Sequence, residues 1–341
     1  MEMVLLKYDK NVLLNKIDCI INCTFKMDFG WDWPAGVALY GVSNAYEITG
    51  NKSYLDLLKQ WLDEKIDDGI PNLSINGVSL GHSLLSVYQA TGEEKYLEVS
   101  KELASFLKND AERFGNGVLQ HTVNSDVYIF HEQAWIDTLM MAGLFLIRIG
   151  KILDDNELYN DGLNQFHQHE ELLQDINTNL YYHGWDNINK NHMSGVYWAR
   201  GNAWAALTMA KALEHIDVFN PSYMKIDGSL RDLLNALVRL QADSGSWHTV
   251  LDDPSSPEET SATAGIAAAL LSRGTLYNLQ IQKALDSLLE KITEDGKVLQ
   301  VSAGTAVMPD AQSYKCIPSK RIQGWGQGLA LVFLSDLLKR D

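Results

Sequence analysis

The sequence predicts an all-α protein: an (α/α)6 barrel of six inner and six outer helices, in one domain spanning residues 1–341. Three observations carry this. Apolar helices crowded with Ala, Leu and Gly alternate with amphipathic helices along the chain, a repeat of helical hairpins. Convincing strand alternation is scarce. No linker rich in Pro, Gly or Ser divides the chain.

The elements follow in order. "NVLLNKIDCIINCTF" from Asn11 reads as an outer helix with a polar stripe, and "PAGVALYGVSNAYEITG" from Pro34 as the first inner one. "KSYLDLLKQWLDEKI" from Lys52 is outer, "GVSLGHSLLSVYQATG" from Gly77 inner and "KYLEVSKELASFLKN" from Lys95 outer. The phrases "EITGNKSYL" and "QATGEEKYL" nearly coincide, and Gly in each is a helix stop just before the next start. "QAWIDTLMMAGLFLIRIG" is read as an inner helix from Gln133, followed by the outer "DNELYNDGLNQFHQHEELL". "RGNAWAALTMAKALEHI" from Arg200 and "ETSATAGIAAALLSRG" from Glu259 are inner, each followed by an outer helix, "GSLRDLLNALVRLQ" and "LQIQKALDSLLEKI". "GWGQGLALVFLSDLLKR" from Gly324 is the sixth inner helix. Short loop strands are expected in "VLQVSAG" near Val298 and "VYIF" near Val127.

Composition narrows the function. A hydrophobic content of 46% and a charged content of 21% suit a soluble globular protein. No apolar run is long enough to span a membrane, and "MEMVLLKYDKNVLLNK" lacks the uninterrupted core of a signal peptide. Cys19, Cys23 and Cys316 make no disulfide framework, so reduced thiols in a cytoplasmic protein are expected. The net charge of −16 argues against nucleic acid, an anionic membrane or a long acidic polymer as partner. A small anionic substrate is compatible if a few cations are focused in one pocket.

Polar and aromatic residues gather where loops enter the inner helices. They include Trp33 in "WDWPAG", Asn76, His121, Trp135 and Asp137 in "AWID", and His183 in "YYHGWD". Trp185 and Asp186 in the same phrase, Trp198, Arg200, Asn202 and Trp204 in "YWARGNAW", Trp247 and His248 in "GSWH", Glu259 to Ser261 in "EETS" and Trp325 in "RIQGWGQG" complete the set. In a ring of parallel helices these ends meet at one mouth. Tryptophan faces beside hydrogen-bonding groups make a site for a sugar ring. Each residue also has a plainer reading: a core tryptophan, a capping histidine, Arg200 paired with Asp186, or "EETS" as a helix cap through Thr260 or Ser261.

Asp137 is the anomaly. It is expected in the first turns of an otherwise apolar helix, with Gln133, Ala134, Met140 and Met141 as helical neighbours and no cation among them. Burying an ionised carboxylate costs several kcal/mol unless it is paired. Either a distant partner rescues it, or desolvation raises its pKa and its proton is used. Other chemistries score poorly. "HEQAW" lacks the second His of a zinc-protease motif, and there is no C-x-x-C pair, phosphate loop, dinucleotide fingerprint or nucleophile elbow. No metal site is read.

Taken together, "WDWPAGVALYG", "AWIDTLMMAG", "HGWD", "WARGNAW", "ETSATAG" and "GWGQGLAL" resemble glycoside hydrolase family 105, the unsaturated rhamnogalacturonyl hydrolases, which are related to the family 88 unsaturated glucuronyl hydrolases. The ordered set covers most of the chain. The resemblance implies an (α/α)6 barrel and a small-molecule substrate, an oligosaccharide whose terminal uronate carries a C4–C5 double bond. It implies protonation at C4 by a carboxylic acid, addition of water at C5, and collapse of the hemiketal, with no metal or organic cofactor. By matching, Asp137 takes the place of the general acid/base. His183 and Arg200 would bind the sugar or its carboxylate, Trp135, Trp198 and Trp204 would wall the pocket, and His121 would sit beside it. The stretch between His121 and "AWID" is longer than the family's usual one. Where the family's "LDxxxxG" phrase places a second carboxylate, this chain has Asn76, expected to face Asp137 across the pocket. A monomer or homodimer is expected. A sugar epimerase or inverting glycosidase on the same barrel, and a non-catalytic sugar-binding protein, are the alternative readings.

Overall fold

The computed structural model describes residues 5–71, 73–125 and 127–340. Six inner helices close into a ring. They are α2 (Trp33–Thr49), α4 (Gly81–Thr91), α6 (Leu144–Leu153), α8 (Ala199–Leu213), α10 (Thr260–Leu271) and α13 (Gly324–Leu338). Each touches the next, and α13 returns to pack on α2. Six outer helices cover the ring: α1 (Lys10–Thr24), α3 (Lys52–Asp67), α5 (Glu94–Asn109), α7 (Asn156–Leu173), α9 (Pro221–Val238) and α11 (Asn278–Glu290). A further short helix, α12 (Ala311–Lys315), lies in the loop before α13. No helix among the described residues is long and apolar enough to cross a membrane.

The inner helices are apolar all round because they are covered on both sides. Every residue of α13 is buried, as is every residue of α8 from Ala199 to Ala212. The outer helices bury one face, as in α3, where Tyr54, Leu58 and Leu62 point inward at helical spacing. The two repeated phrases end α2 and α4 as expected: Gly50 and Gly92 adopt left-handed φ of 66° and 70° and close each helix.

Glycine sets how closely the ring seals. A Cβ on Gly41 of α2 would lie 2.3 Å from the carbonyl oxygen of Gly328 in α13, and one on Gly328 would lie 2.1 Å from that of Val37. The two helices therefore cross backbone to backbone. Near the C-terminal ends of the inner helices the barrel is plugged by polar groups. Lys211 Nζ sits 2.8 Å from Asp336 and 3.3 Å from Asn44.

Three expectations change. The fifth outer helix begins at Pro221, not Gly228, because Asn220 caps it and Pro221 fits its first turn. No strand forms at Val127 or Val298; Val298 makes only an isolated bridge to Ile292. The short strands lie elsewhere, as three two-stranded ribbons at loop entrances. One of these replaces the start of the third inner helix.

Candidate active site

That ribbon creates the setting of Asp137. Gln133–Trp135 is a strand, paired antiparallel with Gly184–Asp186 so that Trp135 lies opposite Gly184. The chain then turns. The N–H groups of Met140 and Met141 both donate to the Asp137 carbonyl at 3.0 Å, and a π-helical turn, Leu139–Gly143, leads into α6. An apolar run reads alike as buried strand or buried helix, which is why the strand was not separable in the sequence. Its pairing carries the chemistry. Ile136 N–H donates to the His183 carbonyl at 3.0 Å, which sets Asp137 and His183 side by side although 46 positions separate them.

His183 Nε2 lies 3.2 Å from Asp137 Oδ2, and its Nδ1 lies 2.7 Å from the hydroxyl of Tyr314. The imidazole stacks on Trp198 with centroids 4.1 Å apart and meets the edge of Trp135 at 5.6 Å. Burial pushes the Asp137 carboxyl up, but the hydrogen bond from His183 and the proximity of His183, His121 and Arg200 bring it below its ordinary 3.8. The distant partner asked for by the sequence is thus His183, and the free carboxyl is ionised rather than held protonated. His183 itself is pushed down, by burial first and by Arg200 against the pull of Asp137. His121 falls to about 4, again through burial.

Asp137 opens into a cavity of about 410 Å³. Trp33, Trp135 and Trp198 supply aromatic wall, and Asn76, His121, Arg200 and Thr305 supply polar groups. His121 stacks on Trp135 at 4.4 Å, and its Nδ1 lies 3.1 Å from the Thr138 hydroxyl. The long stretch after His121 brings Val123, Tyr128 and Phe130 to the rim. Asn76 makes no side-chain cap to the turn it precedes, and its side chain is part of the cavity wall. Among the described residues of that wall, Asp137 is the sole carboxylate and Arg200 the sole cation.

Arg200 is fully buried and pairs with Glu259 at 3.5 Å, not with Asp186. Its terminal N–H groups are taken up by the loop before α12: Ser302 O and Oγ at 3.1 and 2.6 Å, Ala303 O at 2.9 Å and Thr305 Oγ1 at 3.0 Å. Only Nε–H has no partner. Arg200 thus fixes the Gly304–Ala306 wall and lends the cavity its charge. Glu259 caps α10 through Ala262 N–H and receives the Ser302 N–H at 2.9 Å, so the cap in "EETS" is the glutamate.

Two of the singled-out tryptophans stand behind the wall. Trp325 stacks on Trp33 at 4.2 Å and donates to Ser302 O at 3.1 Å. Trp204, one turn along α8 from Arg200, is wholly buried in the core and does not line the cavity. Sequence reasoning missed Tyr314, Thr305, Tyr128 and Phe130. Thr305, Tyr128 and Phe130 lie in loops and Tyr314 in the five-residue α12, all too short or irregular for periodicity to mark a residue, and only the unusual length after His121 hinted at two of them. No three His, Cys, Asp or Glu side chains gather as metal ligands among the described residues.

Comparison with known proteins adds to this geometry. The family model described as Glycosyl Hydrolase Family 88 matches residues 10–341. The chain is 59% identical over 337 residues to the unsaturated rhamnogalacturonyl hydrolase YesR of Bacillus subtilis (strain 168), covering 99% of this chain and 98% of that protein. A crystal structure described as a possible member of the GH105 family, from Salmonella enterica serovar Paratyphi A, superposes with a TM-score of 0.94 at 28% identity, over 99% of this chain and 96% of the other. The unsaturated glucuronyl hydrolase of Bacillus sp. GL1 shares the fold, with a TM-score of 0.71 at 16% identity over 96% and 97% of the two chains.

Proposed function

The chain belongs to Glycosyl Hydrolase Family 88, and from that premise we propose that it removes a C4–C5 unsaturated galacturonyl residue from rhamnogalacturonan fragments, with Asp137 as general acid/base. The observation that carries the reading is the lone carboxylate: Asp137 faces a tryptophan-walled cavity whose only described cation is Arg200. An inverting glycosidase needs a second carboxylate across the sugar, and the described wall supplies none. An enol ether needs only one acid.

In this reading the pyranose stacks on tryptophan and its carboxylate lies toward the charge of Arg200. The incoming anion and the loss of water both favour the neutral carboxyl, so Asp137 takes up its proton as substrate binds. It delivers that proton to C4. The resulting carboxylate then accepts a proton from the water that adds at C5, and the hemiketal opens to release the remaining sugar. His183 holds Oδ2 throughout and leaves the other oxygen for transfer. The three free cysteines support action in a reducing compartment, and we propose the cytoplasm.

The test is incubation with unsaturated rhamnogalacturonan disaccharide made by a lyase, following the ultraviolet absorbance of the conjugated uronate. Absorbance should fall with the wild-type protein. Asp137→Asn should fold normally and lose about 10²–10⁴-fold in kcat, the usual contribution of a positioned acid. An Asn variant within a few-fold of wild type would remove Asp137 from this role.

A further inference from the structure

Asp137 and His183 share a hydrogen bond, so a single proton taken up by the pair has two places to go. On Asp137 it makes a neutral acid beside a neutral imidazole. On His183 it makes an imidazolium beside a carboxylate, which cannot serve as the acid. The neighbouring groups decide between these, and one of them was invisible in the sequence.

Tyr314 reaches Nδ1 of His183 from α12, at 2.7 Å. Its oxygen already accepts the backbone N–H of Met308 at 3.2 Å. The Asp137 carboxylate opposite Nε2 can only accept, so the neutral ring carries its hydrogen on Nε2, and the phenol faces Nδ1 as a donor. Nδ1 is then an acceptor, and the ring hydrogen points at Asp137. The ring is held between Trp198 and Trp135 and is fully buried, so it cannot turn to offer its nitrogens differently. The other ionisable groups around the pair are His121, from the loop before the Gln133 strand, and Arg200 of α8, with Glu259 behind it. Arg200 opposes a second cation at His183.

We infer that Tyr314 is a positioning residue: by donating its hydroxyl to Nδ1 of His183, it keeps that imidazole neutral and directs the shared proton to Asp137. The inference rests on the reading of Asp137 as the acid. Burial pushes the Tyr314 hydroxyl up to about 12, so it remains a donor over the working range. Phenylalanine at 314 keeps the ring and removes the donor. Nδ1 then loses the group that blocks it, and the proton moves onto His183.

The experiment compares wild type with Tyr314→Phe in two ways. The first needs no substrate: ¹⁵N spectra of histidine-labelled protein across acid pH, with the His183 signals identified by their loss in His183→Gln. In wild type, Nδ1 should stay unprotonated while Asp137 titrates. In Tyr314→Phe it should gain a proton over the same range. The second is the pH–rate profile on the lyase product, where kcat should fall roughly two- to tenfold, as one hydrogen bond is worth, with KM changed less than twofold. Protonated Nδ1 in wild type, an unprotonated Nδ1 in both proteins, or a loss confined to KM would each overturn the inference. If wild type fails to turn over the lyase product, the functional reading falls, and the spectra still decide where Tyr314 puts the proton.

Discussion

At the scale of single residues, Asn76 lines the cavity and makes no side-chain cap to the turn it precedes. A carboxylate at 76 would add negative charge near Asp137 and stabilise its protonated form. Asp137 titrates below its ordinary 3.8 in the free protein. Above that pKa the acid form, and with it kcat/KM, falls about tenfold per pH unit. Activity in wild type should therefore be greatest on the acid side. Asn76→Asp should raise the Asp137 pKa, carry the basic limb of the profile to higher pH, and change kcat more than KM. Superimposable profiles would place Asn76 outside the chemistry. Asp137 was legible in the sequence because a carboxylate in an apolar run has few physical excuses. Its partner was less so: His183 was found, but as a sugar ligand, because the strand pairing that joins the two is a long-range fact. Tyr314 left no signal, being one aromatic in a helix of five residues, too short to show a period.

At the scale of elements, helix alternation was readable from apolar periodicity, and the glycine stops placed two helix ends to the residue. The strand at Gln133 was hidden because its partner lies some fifty positions away. Glycines divide by what surrounds them, which sequence does not show. Gly328 abuts the backbone of α2, so Gly328→Ala must push two inner helices apart and should destabilise by about 1–3 kcal/mol. Gly228 sits inside α9 with nothing within 4 Å of a built Cβ, so Gly228→Ala should instead stabilise by about 0.4–1 kcal/mol. Urea midpoints of the two variants should move in opposite directions. A shift of the same sign in both would mean that helix propensity, not contact, governs these sites.

At the scale of the whole molecule, a net charge of −16 surrounds a cavity that must admit an anion. Exposed charges are screened over about 8–10 Å at moderate salt, whereas the buried charge of Arg200 is screened far less. Raising the ionic strength from about 10 to 150 mM should therefore weaken long-range repulsion more than local attraction, and KM should fall. Measured KM rising over that range would mean that the cavity's own field dominates the approach. The sequence showed the sign of the molecule's charge and the ring of helices, but not where the cation would face.

The seal between α2 and α13 has a topological consequence. Tyr8, just ahead of α1, donates its hydroxyl to the Leu337 carbonyl at 3.0 Å, so the two ends of the described chain lie together beside that seam. A closed ring has no privileged starting helix. A circular permutant with a short peptide joining these ends, and new termini opened at the exposed turn between Gly50 and Asn51, would thread the same helices in rotated order. That cut follows the C-terminal end of α2, away from the mouth where Trp33 and Asp137 meet. Such a permutant should fold and keep its turnover on the lyase product, because the site belongs to the ring and not to the order in which the chain traverses it.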